Sequence, residues 1–274
     1  MFEKKVYIED DLDLDKIIDS GQCFRPARRS DGWYRFPAGQ RLLYLRPEGE
    51  NEYIIRCPKG EWENFWQDYF DFSRDYSALR GKLRGQSAFL DKALDYGQGI
   101  RVLRQDPWEM LITFIISQRK SIPAIRTAVN LLSERYGTPV EADGEVVHLF
   151  PTPDQLNQAS EEDLAACGLG YRTRYIKKAA ELAAFGQLDM EALRSLPDEE
   201  LYQKLLTLDG VGKKVANCVC LFGYSRTGMV PVDVWIARLI EEEFGGVDPF
   251  PQYGVEAGIA QQYLFYYKRS ISKK

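Results

Sequence analysis

Up to about residue 60, apolar and polar positions alternate or gather in β-rich runs, "KVYIE", "GWYRF", "RLLYLR" and "EYIIRC", separated by Gly, Pro and Asp. A period of two sends successive side chains to opposite faces of a strand, so this part of the chain predicts an antiparallel sheet. From Glu61 the period lengthens. "EWENFWQDYF" and "YSALRGKLRG" suit helices whose aromatic stripe packs on that sheet.

Asp106-Pro107 pairs an N-capping residue with a proline at the first helical position, and beyond it almost everything reads as helix. "WEMLITFIISQ" is apolar nearly all round and predicts a central, buried helix. "IPAIRTAVNLLSERYG" is amphipathic and runs to Gly137, read here as its C-cap. Further helices are expected over about 153–166, 172–185, 201–207, 213–222, 233–244 and 253–268. No internal repeat or low-complexity tract interrupts them. The chain therefore reads as α+β: an N-terminal antiparallel sheet domain with helices over 1–100, then an all-α domain over 101–274.

Composition narrows the chemistry. With 274 residues the chain can bury a core without staples, and no apolar run approaches the roughly 20 residues of a membrane span. "MFEKKVYIEDDLDLD" turns acidic at once and has no apolar signal core, so a cytoplasmic protein is expected, and a monomer is assumed. Five scattered cysteines without a CxxC pair argue against a disulfide framework and a thiolate metal site. A single histidine, His148, makes a zinc centre or a Ser/His/Asp triad a poor fit, which leaves Lys, Asp, Glu, Cys or Tyr to carry any reaction. The net charge of −5 counts against nonspecific coating of nucleic acid, although "YRTRYIKK" and Lys213-Lys214 are locally basic.

"LDGVGKKVANC", from Leu208 to Cys218, ends one helical pattern, makes a Gly-Val-Gly turn and starts another at Lys213. Gly210 and Gly212 around Val211 leave backbone N–H groups bare at the positive end of a helix dipole, where a DNA phosphate fits. The glycine spacing fits a plain packing corner equally well.

This segment resembles the helix-hairpin-helix of the DNA glycosylase superfamily, with Asp209 where a proline is usual. The match extends to "VPVDVWIARL", in which Asp233 follows Lys214 by 233 − 214 = 19 residues, the family's spacing between catalytic lysine and aspartate. "SGQCFRP", "RVLRQDPWEMLITFIISQ", "GLGYRTRY" and "AGIAQQYLF" then resemble, in order, the lesion-reading loop, central helix, DNA wedge and base-binding helix of the 8-oxoguanine DNA glycosylase/AP lyase family. What that resemblance implies is an enzyme on double-stranded DNA containing 8-oxoguanine, with no cofactor and no iron-sulfur cluster.

By the same resemblance each residue acquires an expected role. Lys214 attacks the sugar and forms a Schiff base, and Asp233, otherwise an N-cap, stabilises the developing positive charge. The Gly21 carbonyl meets N7, which carries hydrogen in the oxidised base and is a bare acceptor in guanine. Gln261 reads the Watson–Crick edge, and Phe265 and Cys218 sandwich the rings, although both read as core residues when taken alone. Tyr171 wedges the opened duplex, Arg172 reaches the orphaned base, and Arg119 lies where an asparagine helps to read the opposite cytosine.

Departures from the family pattern carry consequences. Arg119 and Ala124 replace the asparagine and arginine that help to read cytosine, so a relaxed opposite-base preference is expected. Trp235 replaces a histidine that lies near the lesion's phosphate in many relatives. An endonuclease III type of enzyme shares the hairpin, lysine and aspartate but carries four clustered cysteines after the aspartate, whereas none follows Cys220 here. Monofunctional alkylation-repair glycosylases lack the lysine, and a noncatalytic helix-hairpin-helix module needs neither Lys214 nor Asp233.

Overall fold

The computed structural model describes residues 1–272. It opens with β1 (Phe2–Tyr7) and a short helix α1 (Leu14–Asp19), followed by β2 (Ala27–Arg28), β3 (Tyr34–Ala38), β4 (Arg41–Gly49) and β5 (Glu52–Cys57). These strands form one antiparallel sheet in the order β1-β5-β4-β3-β2. A helical stretch from Trp62 ends in α2 (Gln67–Tyr69), and α3 (Tyr76–Leu83) and α4 (Ala88–Tyr96) follow. Trp62, Trp66, Tyr69 and Phe70 pack on one face of the sheet against Phe36, Leu43 and Leu45, as the aromatic stripe predicts.

The central helix α5 (Pro107–Ser117) is buried along its whole length. Its start is the expected one: the Asp106 carboxylate accepts from Glu109 N at 2.8 Å, and Pro107 needs no partner for a missing N–H. Around it lie α6 (Ile122–Tyr136), α7 (Pro153–Gln158), α8 (Glu161–Leu164), α9 (Thr173–Ala184), α10 (Asp198–Leu206), α11 (Lys213–Tyr224), α12 (Val234–Phe244) and α13 (Ala257–Ile271). α3 and α4 add Leu79, Leu83, Leu90 and Leu94 to this helical core rather than to the core of the sheet.

Two expectations need correction, and the cap at Gly137 holds for a reason of its own. After residue 106 the chain is not wholly helical: β6 (Pro139–Ala142) and β7 (Glu145–His148) form a hairpin closed by Asp143-Gly144, both at positive φ. That two-residue turn matches the twist of a hairpin, and "DG" between two short valine-containing runs is its local signal. The hairpin covers the second face of the sheet, where Val147 packs with Trp33, Leu42 and Tyr44, and Asp143 pairs with Arg29 and Arg56. Gly137 caps α6 through its N–H, but in an extended conformation (φ −77°, ψ 156°). Glycine is needed there because a Cβ would stand 1.8 Å from Leu149 O. Finally, the helix expected over 153–166 breaks at Ala159, since Ser160 caps a new helix by accepting from Asp163 N at 3.1 Å.

Candidate active site

The hairpin between α10 and α11 is built by its glycines. Gly210 takes φ +79° and packs so tightly on the ring of Tyr175 that a Cβ would lie 2.5 Å from it. Its carbonyl accepts from Gln118 Nε2 at 2.9 Å, which ties the turn to the end of α5. Val211 is buried as the turn's anchor, whereas Gly212, the N-cap of α11, faces open space and supplies no capping side chain. The first N–H groups of a twelve-residue helix are thus left for an outside acceptor.

Lys214, on the first turn of α11, is half-buried. Its Nζ lies 3.1 Å from Ser117 Oγ and 4.9 Å from the ring centre of Phe114, and no described carboxylate forms an ion pair with it. Ser117 and Phe114 were not singled out in the sequence; both lie on the last turns of α5, where an all-round apolar pattern hides any functional face. One turn along α11, Cys218 is buried, and burial pushes its thiol up to about 11, with Lys214 opposing the shift and Asp233 adding to it. Both charged groups therefore act on the same thiol.

Asp233 caps α12 with a single oxygen: Oδ1 accepts from Trp235 N and Ile236 N, both at 3.0 Å. Its other oxygen makes no hydrogen bond among the described residues and remains available to a positive charge. Trp235 is half-buried, with the Arg238 guanidinium 5.7 Å from its ring centre.

α13 presents Gln261 and Phe265 on one face, four residues apart. Gln261 is 4% exposed, yet its Oε1 has no hydrogen-bond partner. A buried acceptor left unpaired costs about 1–3 kcal/mol, the energy that a donor on a bound molecule would return. Phe265 lies on Gly21: a Cβ there would be 3.0 Å from Phe265 Cε1, and φ is +82°. Gln262, which the sequence did not single out, donates from Nε2 to Ser20 O at 2.7 Å and joins the helix to this loop.

Tyr171 is exposed and meets the edge of Tyr175, with ring centres 6.2 Å apart. Arg172 departs from the expected free, outward side chain. It is 5% exposed and donates to Leu169 O at 3.2 Å and to Gln118 O, while its guanidinium lies 4.4 Å from the Tyr171 ring centre. Gly168 and Gly170, both at positive φ, curl the chain so that this side chain points inward at a carbonyl orphaned by the end of α5. Arg119 is exposed and holds φ +51°, a left-handed conformation that asparagine adopts more readily than arginine.

Around these residues the site draws on five parts of the chain: the Ser20–Pro26 loop, the end of α5, the hairpin, the start of α12 and α13. A surface hollow of about 560 Å³, rimmed by Arg174, Lys177, Asp209 and Gly210 among others, flanks the hairpin rather than the Lys214 nitrogen. The groups that meet the Lys214 nitrogen are the Ser117 hydroxyl and the Phe114 ring, outside that hollow. Among the described residues no group of three or more His, Cys, Asp or Glu is arranged to hold a metal ion.

Comparison with known proteins agrees over most of the chain. Residues 5–111 match the family described as "8-oxoguanine DNA glycosylase, N-terminal domain", and residues 112–254 match "HhH-GPD superfamily base excision DNA repair protein". A Saccharomyces cerevisiae N-glycosylase/DNA lyase is 36% identical over 89% of this chain and 71% of its own length. A probable N-glycosylase/DNA lyase of Methanothermobacter thermautotrophicus is 29% identical over 94% of each chain. The crystal structure of Clostridium acetobutylicum 8-oxoguanine glycosylase/lyase, in complex with double-stranded DNA containing cytosine opposite 8-oxoguanine, superposes with a TM-score of 0.88 at 33% identity over 99% of both chains.

Proposed function

This chain belongs to the 8-oxoguanine DNA glycosylase family of the HhH-GPD superfamily, and from that membership we propose that it excises 8-oxoguanine from double-stranded DNA and then nicks the strand. The observation that carries the mechanism is the Lys214 amine, hydrogen-bonded to Ser117, without an ion pair to any described carboxylate, and one turn of α11 before the buried Cys218.

In this reading the bare N–H groups after Gly212 grip a phosphate of the lesion strand, and the damaged nucleotide turns out of the stack. Its base lies between Phe265 and Cys218. The Gly21 carbonyl accepts from N7–H, and Gln261 Oε1 at last finds a donor on the Watson–Crick edge. Lys214 Nζ forms a bond to C1′ while the bond to the base breaks. The departing base takes the electron pair and a proton, and the free Asp233 oxygen faces the positive charge that grows on the sugar. Ring opening gives an imine between Lys214 and C1′. Loss of a proton from C2′ and cleavage of the C3′–O bond then nick the strand, and water releases the lysine.

Borohydride reduction of that imine is the test, with 8-oxoguanine placed opposite each of the four bases. The native chain is expected to give a covalent adduct and Lys214→Gln none. With Arg119 and Ala124 in the opposite-base loop, trapping should vary only modestly with the opposite base. Base release without any adduct in the native chain would exclude Lys214 as nucleophile.

A further inference from the structure

The loop that carries Gly21 is held by its carbonyls, one after another. Ile17 O accepts from Ser20 N at 3.3 Å and from the Ser20 hydroxyl at 2.7 Å. Ile18 O accepts from Arg126 Nη2 at 3.1 Å, and Asp19 O from Arg269 Nη1 at 3.0 Å. Ser20 O accepts from Gln262 Nε2 at 2.7 Å, and Gln22 O from Gln105 Nε2 at 2.8 Å. Between them, Gly21 O receives no hydrogen bond from any described residue.

The arginine donors meet carbonyls that have no partner within their own helix. α1 ends at Asp19, so Ile18 O and Asp19 O are helix-terminal carbonyls that would ordinarily be left to water. Instead, two guanidinium groups from different helices take them. Arg269 forms no ion pair with a described carboxylate, and the one carboxylate near Arg126, that of Asp19, lies 3.9 Å away. The Arg269 guanidinium also lies 5.3 Å from the Phe265 ring centre, and its Nη1 is 3.5 Å from where a Cβ on Gly21 would stand. It therefore touches the loop and the aromatic plate at once.

A glycine at φ +82° can turn its peptide over at little cost, because both hands of the backbone are open to it. Recognition by that one carbonyl therefore needs the peptides on either side to be pinned. We propose that Arg126 and Arg269 are positioning residues that hold this loop from two helices, keep the Gly21 carbonyl aimed into the site, and so set the discrimination of 8-oxoguanine from guanine. This rests on the function proposed above. The two arginines act through the loop rather than on the DNA.

The test compares two duplexes, one containing 8-oxoguanine and one an abasic site, which needs the Lys214 chemistry but offers no base to read. Single-turnover rates are measured for the native chain, Arg126→Met, Arg269→Met and Arg269→Lys; methionine keeps the apolar stem and removes the donors. Each methionine variant should excise 8-oxoguanine about 10- to 100-fold more slowly, while nicking of the abasic duplex changes by less than about threefold. Arg269→Lys, which keeps one donor for Asp19 O, should recover part of the loss. Equal losses on both duplexes would mean that the guanidinium groups serve DNA binding or the fold, and unchanged rates would mean that the loop holds itself; either result overturns the proposal. If the native chain nicks abasic DNA but leaves 8-oxoguanine in place, the substrate reading fails and the proposal with it. Failure of the arginine clamp alone would instead show as variants that keep the native ratio of the two rates.

Discussion

Lys214 Nζ is 3.1 Å from the hydroxyl oxygen of Ser117, and that hydroxyl itself donates to Phe114 O at 2.8 Å. Lys214 is therefore aimed by a serine whose own proton is committed to the backbone. Ser117→Ala should leave the fold intact, because the hydroxyl ends a helix inside an apolar core. Strand nicking should fall about tenfold, the worth of one hydrogen bond, while a borohydride-trapped adduct still forms. A rate equal to that of the native chain would remove Ser117 from the site.

Asp233 combines a cap and a charge, and two substitutions separate them. Asparagine caps as well as aspartate, so Asp233→Asn should unfold within a few tenths of a kcal/mol of the native chain, whereas Asp233→Ala should lose about 0.5–2 kcal/mol. Both should lose base excision by about 10²- to 10³-fold, because neither supplies a negative oxygen to the sugar. Urea melts alongside single-turnover rates would show whether activity follows charge or stability.

Gly210 has a neighbour that leaves no room for a methyl group. Gly210→Ala places a Cβ 2.5 Å from the Tyr175 ring and also forces alanine to hold φ +79°. The strain of that conformation is of order 1–3 kcal/mol, so a lower melting temperature and weaker DNA binding are expected together. Gly212→Ala is the control, since nothing stands within 4 Å of its Cβ position. It should change stability far less.

Glu109 is buried against Arg25, and burial raises its carboxyl to about 7 although the arginine works against the shift. Burial lowers the Arg25 guanidinium in turn. With its folded value above its unfolded one, Glu109 holds a proton in the native state that the unfolded chain has released. Its contribution to stability is thus fully present below about 4.5 and is lost as pH rises through about 7. The steepest fall that one such group allows is about 1.4 kcal/mol per pH unit. Denaturant melts between these pH values should show the decline in the native chain, and Glu109→Gln, whatever its baseline stability, should flatten it.

Several features were legible in the chain because they are local. Asp106-Pro107 announces α5 within one turn, and α11 follows at once from Gly212. Cys218 lies one helical turn from Lys214 on α11, and Asp233 begins the next helix, so three of the candidate residues depend on short stretches of sequence. The β6–β7 hairpin is also local, but its two-residue turn is outweighed in the sequence by helical patterns on both sides.

What the sequence by itself determined is therefore most of the elements, the cap of α5 and the glycine turn before α11, and the residue types that can carry a lysine-based reaction, since each follows from spacing over a few residues. Only the tertiary structure decided how those elements are held to one another. It turns Arg172 inward, leaves Gln261 Oε1 without a partner, and brings Arg126, Gln262 and Arg269 onto successive carbonyls that lie 108, 242 and 250 residues away along the chain. No propensity or periodicity reaches that far. Such contacts form because burying α6 and α13 against the core leaves polar tips beside carbonyls that have no partner within their own helix, and each then satisfies the other.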